Sequence, residues 1–416
     1  MRVLLVSQYF WPENFRVNDL VRELVERGHS VSVLTGKPNY PAGKVFDDFK
    51  KDPKVFDNYH GAAIYRIPML ARGTGGLRLM LNYLSFAIGA SIFGSLRLMG
   101  QRFDIVFVYE PSPVTVGLPA VLIARIKRAP VVFWVQDLWP ETLVALGVVR
   151  SKIVLGAVGS LVRFIYNRCA LVLGQSQGFL ESISKYCNDE KKIRYFPNWA
   201  EEGASPSTVA GAPEMSVESA RFTILFAGNI GEAQDFPAIL DAAERLRSNP
   251  AVRWIVVGDG RKSEWLRQEV VRRGLSNCFI LLGRFPVARM PSFYAKADAL
   301  LVSLRRDPVF SLTIPSKVQS YLLAGIPLLG MLDGEGAATI SKANAGLVCS
   351  AGNPAGLAQA VLDLLAMPKE ERERLGDNGR NYAQREFGRE VLMNQLEAWF
   401  AELAGSNEGR YALGNK

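Results

Sequence analysis

The segment with the most specific chemistry is a short predicted helix that opens on a proline, a serine and a lysine. Pro315 suits the start of a helix, and Ser316 places a hydroxyl beside unpaired backbone N–H groups. Gly325 and Pro327 then end the helix. Because free amides and the helix dipole both attract negative charge, Lys317 at this end predicts a phosphate-binding site. An ordinary capped helix with a solvated lysine would show the same local pattern.

Two glycine-rich turns, at residues 228–231 and 333–336, follow apolar runs in the second half of the chain. Without side chains, their backbone amides could approach a bound anion, although plain strand-to-helix turns have the same composition. The sequence contains no Asp-x-Asp triplet that could clamp a metal ion. We therefore expect Lys317, Arg284 and helix N-termini, and neither a metal nor another cofactor, to neutralise phosphate charge.

A second set of polar residues follows the predicted strands of the first half. A carboxylate among them, Asp137, could polarise a substrate hydroxyl, and Glu110 is a further catalytic candidate. Carboxylates at strand ends also serve as helix caps or ion-pair partners. The residues of this set are Asn14, Arg16, Glu110, Gln136, Asp137 and Glu141.

Length and composition indicate a well-packed protein of two domains. The chain has 416 residues, of which 49% are hydrophobic and 21% charged. Residues 1–200 contain 25 Lys and Arg against 15 Asp and Glu, a net charge of +10, whereas the remainder carries −1. A basic half fits an anionic lipid surface or a phosphorylated substrate, or serves only solubility. Nucleic acid is disfavoured, because the sequence lacks basic tracts with interleaved aromatic residues and zinc-binding patterns.

The sequence favours a cytoplasmic protein at a membrane surface. Its four cysteines lack CxxC spacing, which is typical of reduced thiols, and the apolar run after Met1 indicates a strand rather than a signal peptide. Residues 79–96 are uncharged, but polar residues dilute this segment and Arg78 and Arg97 flank it. We therefore expect a buried or interfacial helix and a peripheral location at the inner face of the cytoplasmic membrane.

Both halves contain the strand, helix, strand order of a Rossmann-like domain. In each half a helical pattern separates two short apolar runs, at residues 2–7 and 31–34 in the first and at 222–226 and 254–257 in the second. We predict an N-terminal domain over residues 1–199, a linker rich in Ala, Ser, Pro, Gly and Glu over 200–220, a C-terminal domain over 221–385, and a returning C-terminal helix and tail over 386–416. Parallel sheets bind ligands beyond the carboxyl ends of their strands, so a cleft between the domains is the expected site.

Several motifs resemble those of one enzyme family. The run at residues 314–327 resembles the C-terminal signature of glycosyltransferase family 4, especially a subgroup with a Pro-Ser-Lys-x-x-x-Tyr-x-x-x-Gly-x-Pro pattern. Residues 133–141, FWVQDLWPE, resemble the subgroup that makes colanic acid, O-antigen and capsule, including fucosyl- and N-acetylfucosaminyl-type transferases. Further resemblances are to the family's first helix-to-strand turn, interdomain Pro-Asn motif and nucleotide-base segment, at residues 27–31, 196–199 and 282–285 with 294–299.

This resemblance implies an α/β protein of GT-B fold, with two Rossmann-like domains facing across a cleft. It also implies a retaining, metal-independent glycosyltransferase in bacterial surface polysaccharide synthesis. The donor would be a nucleotide sugar, expected to be UDP-linked with an N-acetylated or deoxy sugar. The acceptor would be a glycan on undecaprenyl diphosphate, reached at an anionic membrane surface.

The resemblance also assigns site residues, with departures from the family pattern. The family's Glu-x7-Glu motif would end at Ser320, so Asp307 and Glu335 are candidates to replace its carboxylates, and an Arg/Lys pair falls at Asn229 and Gln234. The implied donor-binding residues are Gly228, Asn229, Gln234, Arg284, Phe285, Ser316, Lys317, Ser320 and Glu335. The implied acceptor-binding residues are Asn14, Arg16, Gln136, Glu141 and Asp307. Asp137, Lys317 and Glu110 are the catalytic candidates, although in the family's mechanism the leaving phosphate can take the acceptor proton instead of Asp137.

Three other functions fit parts of the sequence less well. A sugar-nucleotide epimerase of the same fold needs acid-base histidines, and the chain has only two histidines. A noncatalytic sugar-nucleotide-binding module would account for the missing Glu-x7-Glu carboxylates. A dinucleotide dehydrogenase is disfavoured because no GxGxxG follows either first strand.

Overall fold

The computed structural model describes residues 1–73, 75–145, 147, 149–200, 206–215 and 221–413. The chain divides into two compact units, one formed by Met1–Phe196 with Asn394–Lys416 and the other by Pro197–Met393. Each unit has a largely or wholly parallel sheet with helices packed on it. The predicted pair of Rossmann-like α/β domains is therefore confirmed.

The first unit is built on an eight-stranded sheet in the order β3-β4-β2-β1-β5-β6-β7-β8. Its strands are β1 (Arg2–Val6), β2 (Ser30–Gly36), β3 (Asn58–Tyr59), β4 (Ala62–Ile67), β5 (Ile105–Glu110), β6 (Val131–Val135), β7 (Leu171–Gly174) and β8 (Ile193–Tyr195). All neighbouring strands pair in parallel except β3 and β4. The strand order reverses between β1 and β5, and in such sheets ligands bind beyond the carboxyl ends at this point.

The helices of the first unit leave the central strands almost fully buried, as expected of a parallel sheet covered on both faces. They are α1 (Arg16–Glu26), α2 (Asp47–Lys51), α3 (Gly76–Gly89), α4 (Ser95–Arg97), α5 (Gly117–Lys127), α6 (Glu141–Ala145), α7 (Lys152–Tyr166) and α8 (Gln177–Ser184). A π-helical turn, Ala90–Gly94, joins α3 to α4. Short 3-10 turns span Pro53–Phe56, Val114–Val116 and Glu190–Lys192.

The helical run from α3 to α4 is the predicted interfacial segment. By length and composition Arg78–Arg97 could cross a membrane, with a mean hydropathy of 1.5, and 33% of this window is buried. Leu81 and Phe93 are exposed, and five further exposed apolar side chains of this run recur every four residues. They are Met80, Leu84, Ile88, Ile92 and Leu96, and we call them the apolar stripe.

The second unit has a six-stranded, wholly parallel sheet in the order β11-β10-β9-β12-β13-β14. Its strands are β9 (Phe222–Ala227), β10 (Val252–Val257), β11 (Phe279–Gly283), β12 (Ala299–Ser303), β13 (Leu328–Met331) and β14 (Gly346–Cys349). Its helices are α9 (Phe236–Arg245), α10 (Ser263–Arg272), α11 (Met290–Tyr294), α12 (Pro308–Ser311), α13 (Ser316–Ala324), α14 (Gly334–Lys342), α15 (Pro354–Ala366) and α16 (Lys369–Phe387), with 3-10 turns at Pro206–Thr208, Glu232–Gln234 and Val287–Arg289. The order reverses between β9 and β12.

Alternation along β9 supplies a core on each face of this sheet. Phe222, Ile224 and Phe226 pack in one core, and Leu225 and Ala227 pack in the other. Successive side chains of a strand point to opposite faces, so the residues that follow β9 emerge between the two helix layers. This position brings the glycine turn after β9 next to the start of α13.

Part of the predicted linker is packed structure. Residues 201–205 and 216–220 lie outside the described residues, but Ala212 and Met215 are buried in the core of the second unit. The Ala212 N–H also donates to the Ser292 carbonyl at 2.8 Å. The contacts divide the chain at Phe196 and Pro197 rather than within residues 200–220.

The last helix, α17 (Arg389–Leu413), passes from the second unit to the first, which it joins at Asn394. In the first unit its Glu397 accepts from Arg27 at 2.8 Å and contacts the His29 ring at 2.7 Å. Phe400 is fully buried and packs edge-on against Phe107 of β5. The turn between α1 and β2 therefore forms the docking site for the C-terminal helix.

Candidate active site

A cavity of about 580 Å³ lies at the carboxyl edge of the second sheet. The ends of β9, β10 and β11 and the first turn of α13 line it. Six residues predicted from the sequence for donor binding line this cavity, namely Gly228, Asn229, Arg284, Phe285, Ser316 and Lys317. The other lining residues are Ala227, Val257, Gly258, Asp259, Gly260, Val287, Met290 and Tyr294.

Lys317 is the principal cation of this cavity. Its Nζ lies 3.6 Å from the centroid of the buried Phe226 ring, a cation–π contact. Within the described chain no hydrogen bond or ion pair reaches its ammonium group, and burial lowers the pKa of Lys317 to about 7. A cation that is desolvated and lacks a counter-ion would gain strongly from a bound anion.

Three glycines bring bare backbone to the same place. A Cβ on Gly228 would lie 2.5 Å from Lys317 Cε, and a Cβ on Gly258 would lie 1.8 Å from the Gly228 carbonyl oxygen. A Cβ on Gly260 would lie 2.3 Å from the Ile230 carbonyl oxygen. Gly228 and Gly258 also have positive φ values of 139° and 148°, which side chains rarely permit. The turns after β9 and β10 therefore pack against each other and against Lys317 without side chains.

Buried polar contacts fix the position of α13. The Tyr321 hydroxyl accepts from the Ala227 N–H at 2.8 Å and donates to the Ala227 carbonyl at 3.0 Å. Gln319 donates to the Asn198 carbonyl at 2.6 Å. Tyr321 follows Lys317 by one helical turn, so a single helix face pins the end of β9 and directs the lysine towards Gly228.

Arg284 and Ser316 add polar groups to the rim of the cavity. Arg284 follows β11, is exposed, and makes no hydrogen bond or ion pair within the described chain. Ser316 is exposed as the first residue of α13, and its side chain does not cap the helix. The Val318 N–H donates to the Pro315 carbonyl at 2.8 Å, so within the described chain the Ser316 and Lys317 amides are left for a ligand or for water.

Asn229 and Gln234 lie together but contact each other. Asn229 Nδ2 is 3.4 Å from Gln234 Oε1, which also accepts from the Gly231 N–H at 3.1 Å. Asn229 lines the cavity, whereas Gln234 does not. The pair closes the turn after β9, and only Asn229 is placed to meet a ligand in this cavity.

Besides Gln234, three predicted residues of this unit do not line the cavity: Ser320, Glu335 and Asp307. Ser320 lies within α13, and Glu335 lies in the first turn of α14. Asp307 caps α12 by accepting from the Val309 N–H at 2.9 Å. They occupy the ends of β12 and β13 and the middle of α13, so they do not share a wall with Lys317 in this cavity.

A carboxylate cluster lies at the carboxyl edge of the first sheet. Glu110 is the last residue of β5, fully buried, and its Oε2 accepts from the Asp137 N–H at 3.4 Å. Burial and the Asp137 charge raise the pKa of Glu110 well above its ordinary value, which favours its uncharged form. The expectation that Glu110 projects beyond its strand is wrong, because both faces of β5 are covered. Glu110 contacts the Asp137 backbone, and its catalytic role stays a prediction.

Asp137 is the accessible member of this cluster. It is half-buried, and its Oδ1 accepts from the Thr142 hydroxyl at 2.5 Å. Burial raises the pKa of Asp137, while the hydrogen bond from Thr142 lowers it. A half-exposed carboxylate with an elevated pKa can accept a proton from a neighbouring hydroxyl.

The remaining predicted residues of the first unit surround Asp137 less closely. Gln136 is half-buried next to it, and Glu141 begins α6 with its Oε1 accepting from the Ser182 hydroxyl at 2.8 Å. Arg16 begins α1, and its charge acts on the buried Tyr109 hydroxyl of β5. Asn14 is exposed in the loop before α1. All four lie in segments that follow β1 or β6.

A buried network in the same unit was missed from the sequence. Glu13 Oε1 accepts from the Asn39 and Tyr40 N–H groups, each at 2.7 Å, and its Oε2 accepts from Phe10 N–H at 3.2 Å. Arg66 binds the Gly36 carbonyl at 3.0 Å and bears a charge that favours ionised Glu13. The network ties the loops after β1 and β2 together. The Glu between Pro12 and Asn14 was its only sequence signal.

The described residues also show how the potential metal-binding side chains are distributed. Within the described part of the chain, no group of three or more His, Cys, Asp and Glu side chains lies close enough to hold a metal ion. The four cysteines are free, and two of them, Cys169 and Cys187, are buried.

Comparisons with known proteins agree with this architecture. Residues 221–367 match the sequence profile of the family described as glycosyl transferases group 1, and residues 14–199 match that of the glycosyl transferase 4-like domain. Together these matches cover most of the chain.

Two characterised or named relatives align over most of their lengths. The chain is 26% identical over 349 residues to Escherichia coli K12 WcaI, whose name assigns it to colanic acid biosynthesis as a glycosyl transferase, covering 78% of this chain and 82% of WcaI. It is 23% identical over 406 residues to 2-deoxystreptamine N-acetyl-D-glucosaminyltransferase of Streptomyces fradiae, covering 90% of each chain.

A solved structure shares the fold of the whole chain. HepE of Anabaena, crystallised with UDP and glucose, superposes with a TM-score of 0.66 and 16% identity, covering 97% of this chain and all of HepE. The two sequence profiles, these relatives and the two Rossmann-like units converge on one conclusion: the chain is a hexosyltransferase-type glycosyltransferase of GT-B fold and belongs to glycosyltransferase family 4.

Proposed function

We propose that the protein transfers a sugar from a UDP-linked donor to a lipid-linked glycan in the synthesis of a bacterial surface polysaccharide, without a metal ion. In this reaction the bond between the anomeric carbon and the β-phosphate oxygen breaks, and the acceptor hydroxyl oxygen bonds to the anomeric carbon with retention. The acceptor proton passes to Asp137 or to the departing phosphate. The finer assignment to fucosyl- or N-acetylfucosaminyl-type donors belongs to the same proposal.

The observation that carries the proposal is Lys317 in the 580 Å³ cavity. Its ammonium has no counter-ion in the described chain and lies beside bare backbone at Gly228 and the first turn of α13, where the Ser316 and Lys317 amides are open to a ligand. This is the environment that a diphosphate requires as its negative charge grows during bond cleavage. Arg284 at the rim supplies a second cation. The choice of a UDP-linked donor is supported by the HepE structure, which contains UDP.

Another wall of the same cavity supports the proposal that a nucleobase binds there. Phe285, Met290 and Tyr294 line the side of the cavity that lies beyond β11. Phe285 packs against buried Phe293 with ring centroids 4.8 Å apart, which limits its movement. Rigid aromatic and thioether groups offer a surface on which a base can stack.

For the acceptor we propose the carboxylate cluster of the first unit. Asp137 would polarise the acceptor hydroxyl, while the buried carboxyl group of Glu110 accepts a hydrogen bond of 3.4 Å from the Asp137 N–H. Gln136, Glu141, Arg16 and Asn14 would bind the glycan. The apolar stripe supports an acceptor carried by a membrane lipid, because its side chains are exposed to solvent without a protein partner in the described chain.

The test begins with donor choice and then measures transfer. A thermal-shift screen against UDP, GDP, TDP and their sugars should show the largest shift for a uridine nucleotide, since a bound ligand stabilises by mass action. Purified protein is then incubated in EDTA with the radiolabelled sugar of the best donor and with an undecaprenyl-diphosphate-linked glycan. We expect label in the lipid fraction. No transfer with any donor, or transfer that requires added Mg²⁺ or Mn²⁺, would contradict the proposal.

A further inference from the structure

A second and larger cavity lies in the first unit, away from the carboxylate cluster. It has a volume of about 1170 Å³ and runs between α5 and α7 at the amino ends of β6, β7 and β8. The carboxylate cluster lies at the carboxyl ends of β5 and β6, which is the opposite edge of the same sheet. We call this cavity the α5–α7 groove. It is not part of the proposed active site.

Four cations line the α5–α7 groove, and its lining contains neither Asp nor Glu among the described residues. The cations are Arg125, Arg128, Arg168 and Lys192. The Arg168 guanidinium lies 3.6 Å from the Phe164 ring centroid, and Lys192 Nζ is 3.5 Å from the Asn167 carbonyl oxygen. The Arg125 guanidinium makes no hydrogen bond or ion pair within the described chain. This concentration of positive charge without a carboxylate favours an anionic ligand.

The backbone at Arg128 gives a second indication. Arg128 ends α5 in the left-handed conformation, with φ 56° and ψ 33°. Glycine adopts this conformation without strain, whereas an arginine is disfavoured there. The chain therefore accepts a disfavoured backbone at the position where a guanidinium lines the groove.

The other walls of the groove are apolar. Leu118, Val121 and Leu122 of α5 face Phe164 of α7, and both Leu122 and Phe164 are about two-fifths exposed. Ser91 of the π-helical turn also lines the groove, next to Ile92 of the apolar stripe. A groove with both cationic and apolar walls should take a ligand that combines an anionic group with hydrocarbon.

We propose that the α5–α7 groove binds an anionic phospholipid, with the phosphodiester among the arginines and an acyl chain along Leu118, Leu122 and Phe164. A free phosphate would leave the apolar walls exposed to water, which favours the lipid as occupant. The net charge of +10 in residues 1–200 agrees with a unit that faces an anionic surface. The inference rests on the membrane location in the proposed function. It adds a defined lipid site on the edge opposite the catalytic residues.

The experiment uses dihexanoyl phosphatidylglycerol below its micellar concentration, with the full-length chain and calorimetric titration. The groove variant is Arg125→Glu with Arg168→Glu. The matched control is Lys44→Glu with Lys54→Glu, which changes the net charge equally at exposed positions outside the groove. We expect the lipid to bind the wild type and the control alike, and the groove variant at least about tenfold more weakly. Inorganic phosphate should bind the wild type at least about tenfold more weakly than the lipid.

A second variant keeps every charge and fills the groove. Leu118→Trp should weaken lipid binding while the thermal midpoint of the lipid-free protein changes little. Arginines near the carboxyl ends of α5 and α7 also stabilise the helix dipoles. A groove variant that melts early but binds the lipid normally would show that purely structural role and overturn the proposal.

Two further outcomes would also overturn it. One is equal lipid binding by the groove and control variants, and the other is phosphate binding as tight as lipid binding. Sugar transfer to a detergent-dispersed acceptor is measured on the same preparations. If the protein binds the lipid as expected but transfers no sugar, only the proposed function is contradicted. If it transfers sugar but binds phosphate as tightly as the lipid, or binds the lipid equally in the groove and control variants, only the groove proposal is contradicted.

Discussion

The carboxyl edges of the two sheets present different ionisable side chains although the same kind of fold builds both. The second unit presents Lys317 and Arg284 beside glycines, whereas the first presents Glu110, Asp137 and Glu141 among buried aromatic residues. The overall charges run the other way, with +10 in residues 1–200 and −1 in the remainder. The excess positive charge of the first half therefore lies outside its site. Net charge reports on the outer surface, and the residues after each strand decide what an edge can bind.

The edges also differ in how they hold their functional side chains. In the second unit Tyr321 and Gln319 position α13 through backbone hydrogen bonds, and glycines clear the space in front of Lys317. In the first unit the buried carboxyl group of Glu110, whose pKa is raised, accepts a hydrogen bond from the backbone N–H of Asp137. We expect changes in the second edge to alter donor affinity and changes in the first to alter turnover.

The largest expected effect comes from Asp137→Asn. If Asp137 polarises the acceptor hydroxyl, replacing its carboxylate by an asparagine amide should lower kcat about 1000-fold and leave UDP affinity unchanged. The control is Asp104→Asn, which removes a surface ion pair with Arg2 at 2.6 Å and should change kcat less than about twofold. Initial rates at saturating donor provide the measurement. A normal kcat in Asp137→Asn would assign the proton to the leaving phosphate.

Gly258→Ala should destabilise the second unit by about 3 kcal/mol or more and abolish UDP binding. The new Cβ would lie 1.8 Å from the Gly228 carbonyl oxygen, and φ is 148°. Gly274→Ala is the control, with a positive φ of 66° but no atom within 4 Å of its added Cβ. Its cost should stay near 1 kcal/mol. Denaturant unfolding gives the free energy of unfolding of both variants. Equal losses in the two variants would contradict the close contact between the backbones at Gly258 and Gly228.

Tyr321→Phe should cost about 1 to 3 kcal/mol and weaken UDP binding. It removes the hydroxyl that pairs with both the N–H and the carbonyl of Ala227, leaving buried backbone groups unsatisfied. Tyr382→Phe, at a half-buried position on α16, should change stability by less than about 0.5 kcal/mol. Thermal unfolding and UDP titration measure both effects. A Tyr321→Phe protein as stable as its control would remove the role we assign to this hydroxyl.

Glu110→Gln should have the smallest effect, although it changes a buried carboxyl group. Burial raises the pKa of Glu110 and favours its uncharged form, which glutamine matches in charge and nearly in size. We expect kcat to fall less than about tenfold and the free energy of unfolding to change by about 1 kcal/mol. A loss in kcat as large as that of Asp137→Asn would show that Glu110 acts as an anion.

The sequence predicted the parts of this molecule that depend on local pattern. The two Rossmann-like units, the start of α13 at Ser316 and the common location of Gly228, Arg284, Phe285 and Lys317 follow from strand, glycine and helix signals. Gly258 and Gly260 could have been added in the same way, since they follow the apolar run of β10. Local pattern identifies which residues stand at a strand end.

Long-range contacts were beyond such reasoning. Glu13 meets Asn39 across 26 residues, and Tyr321 meets Ala227 across 94. Neither spacing leaves a periodic signal in the sequence. Glu110 was placed outside its strand because a parallel sheet, buried on both faces, gives no alternation that marks a buried charge. The α5–α7 groove also depends on the packing of two helices that are separate in sequence.

The central claim is that phosphate binds beside Lys317 at the start of α13, and proton linkage tests it most directly. Burial lowers the pKa of Lys317 to about 7 in the free protein, and a bound phosphate should raise it again. Above pH 7, UDP binding should therefore take up as much as one proton, and affinity should fall as pH rises, at most about tenfold per pH unit.

The measurement is calorimetric titration of UDP at pH 8 in two buffers of different ionisation enthalpy, with wild type, Lys317→Gln and Lys342→Gln. We predict proton uptake in the wild type and the Lys342 control, no uptake through this group in Lys317→Gln, and a loss of affinity of roughly 10- to 100-fold in that variant. Equal proton uptake and equal affinity in all three proteins would contradict the claim.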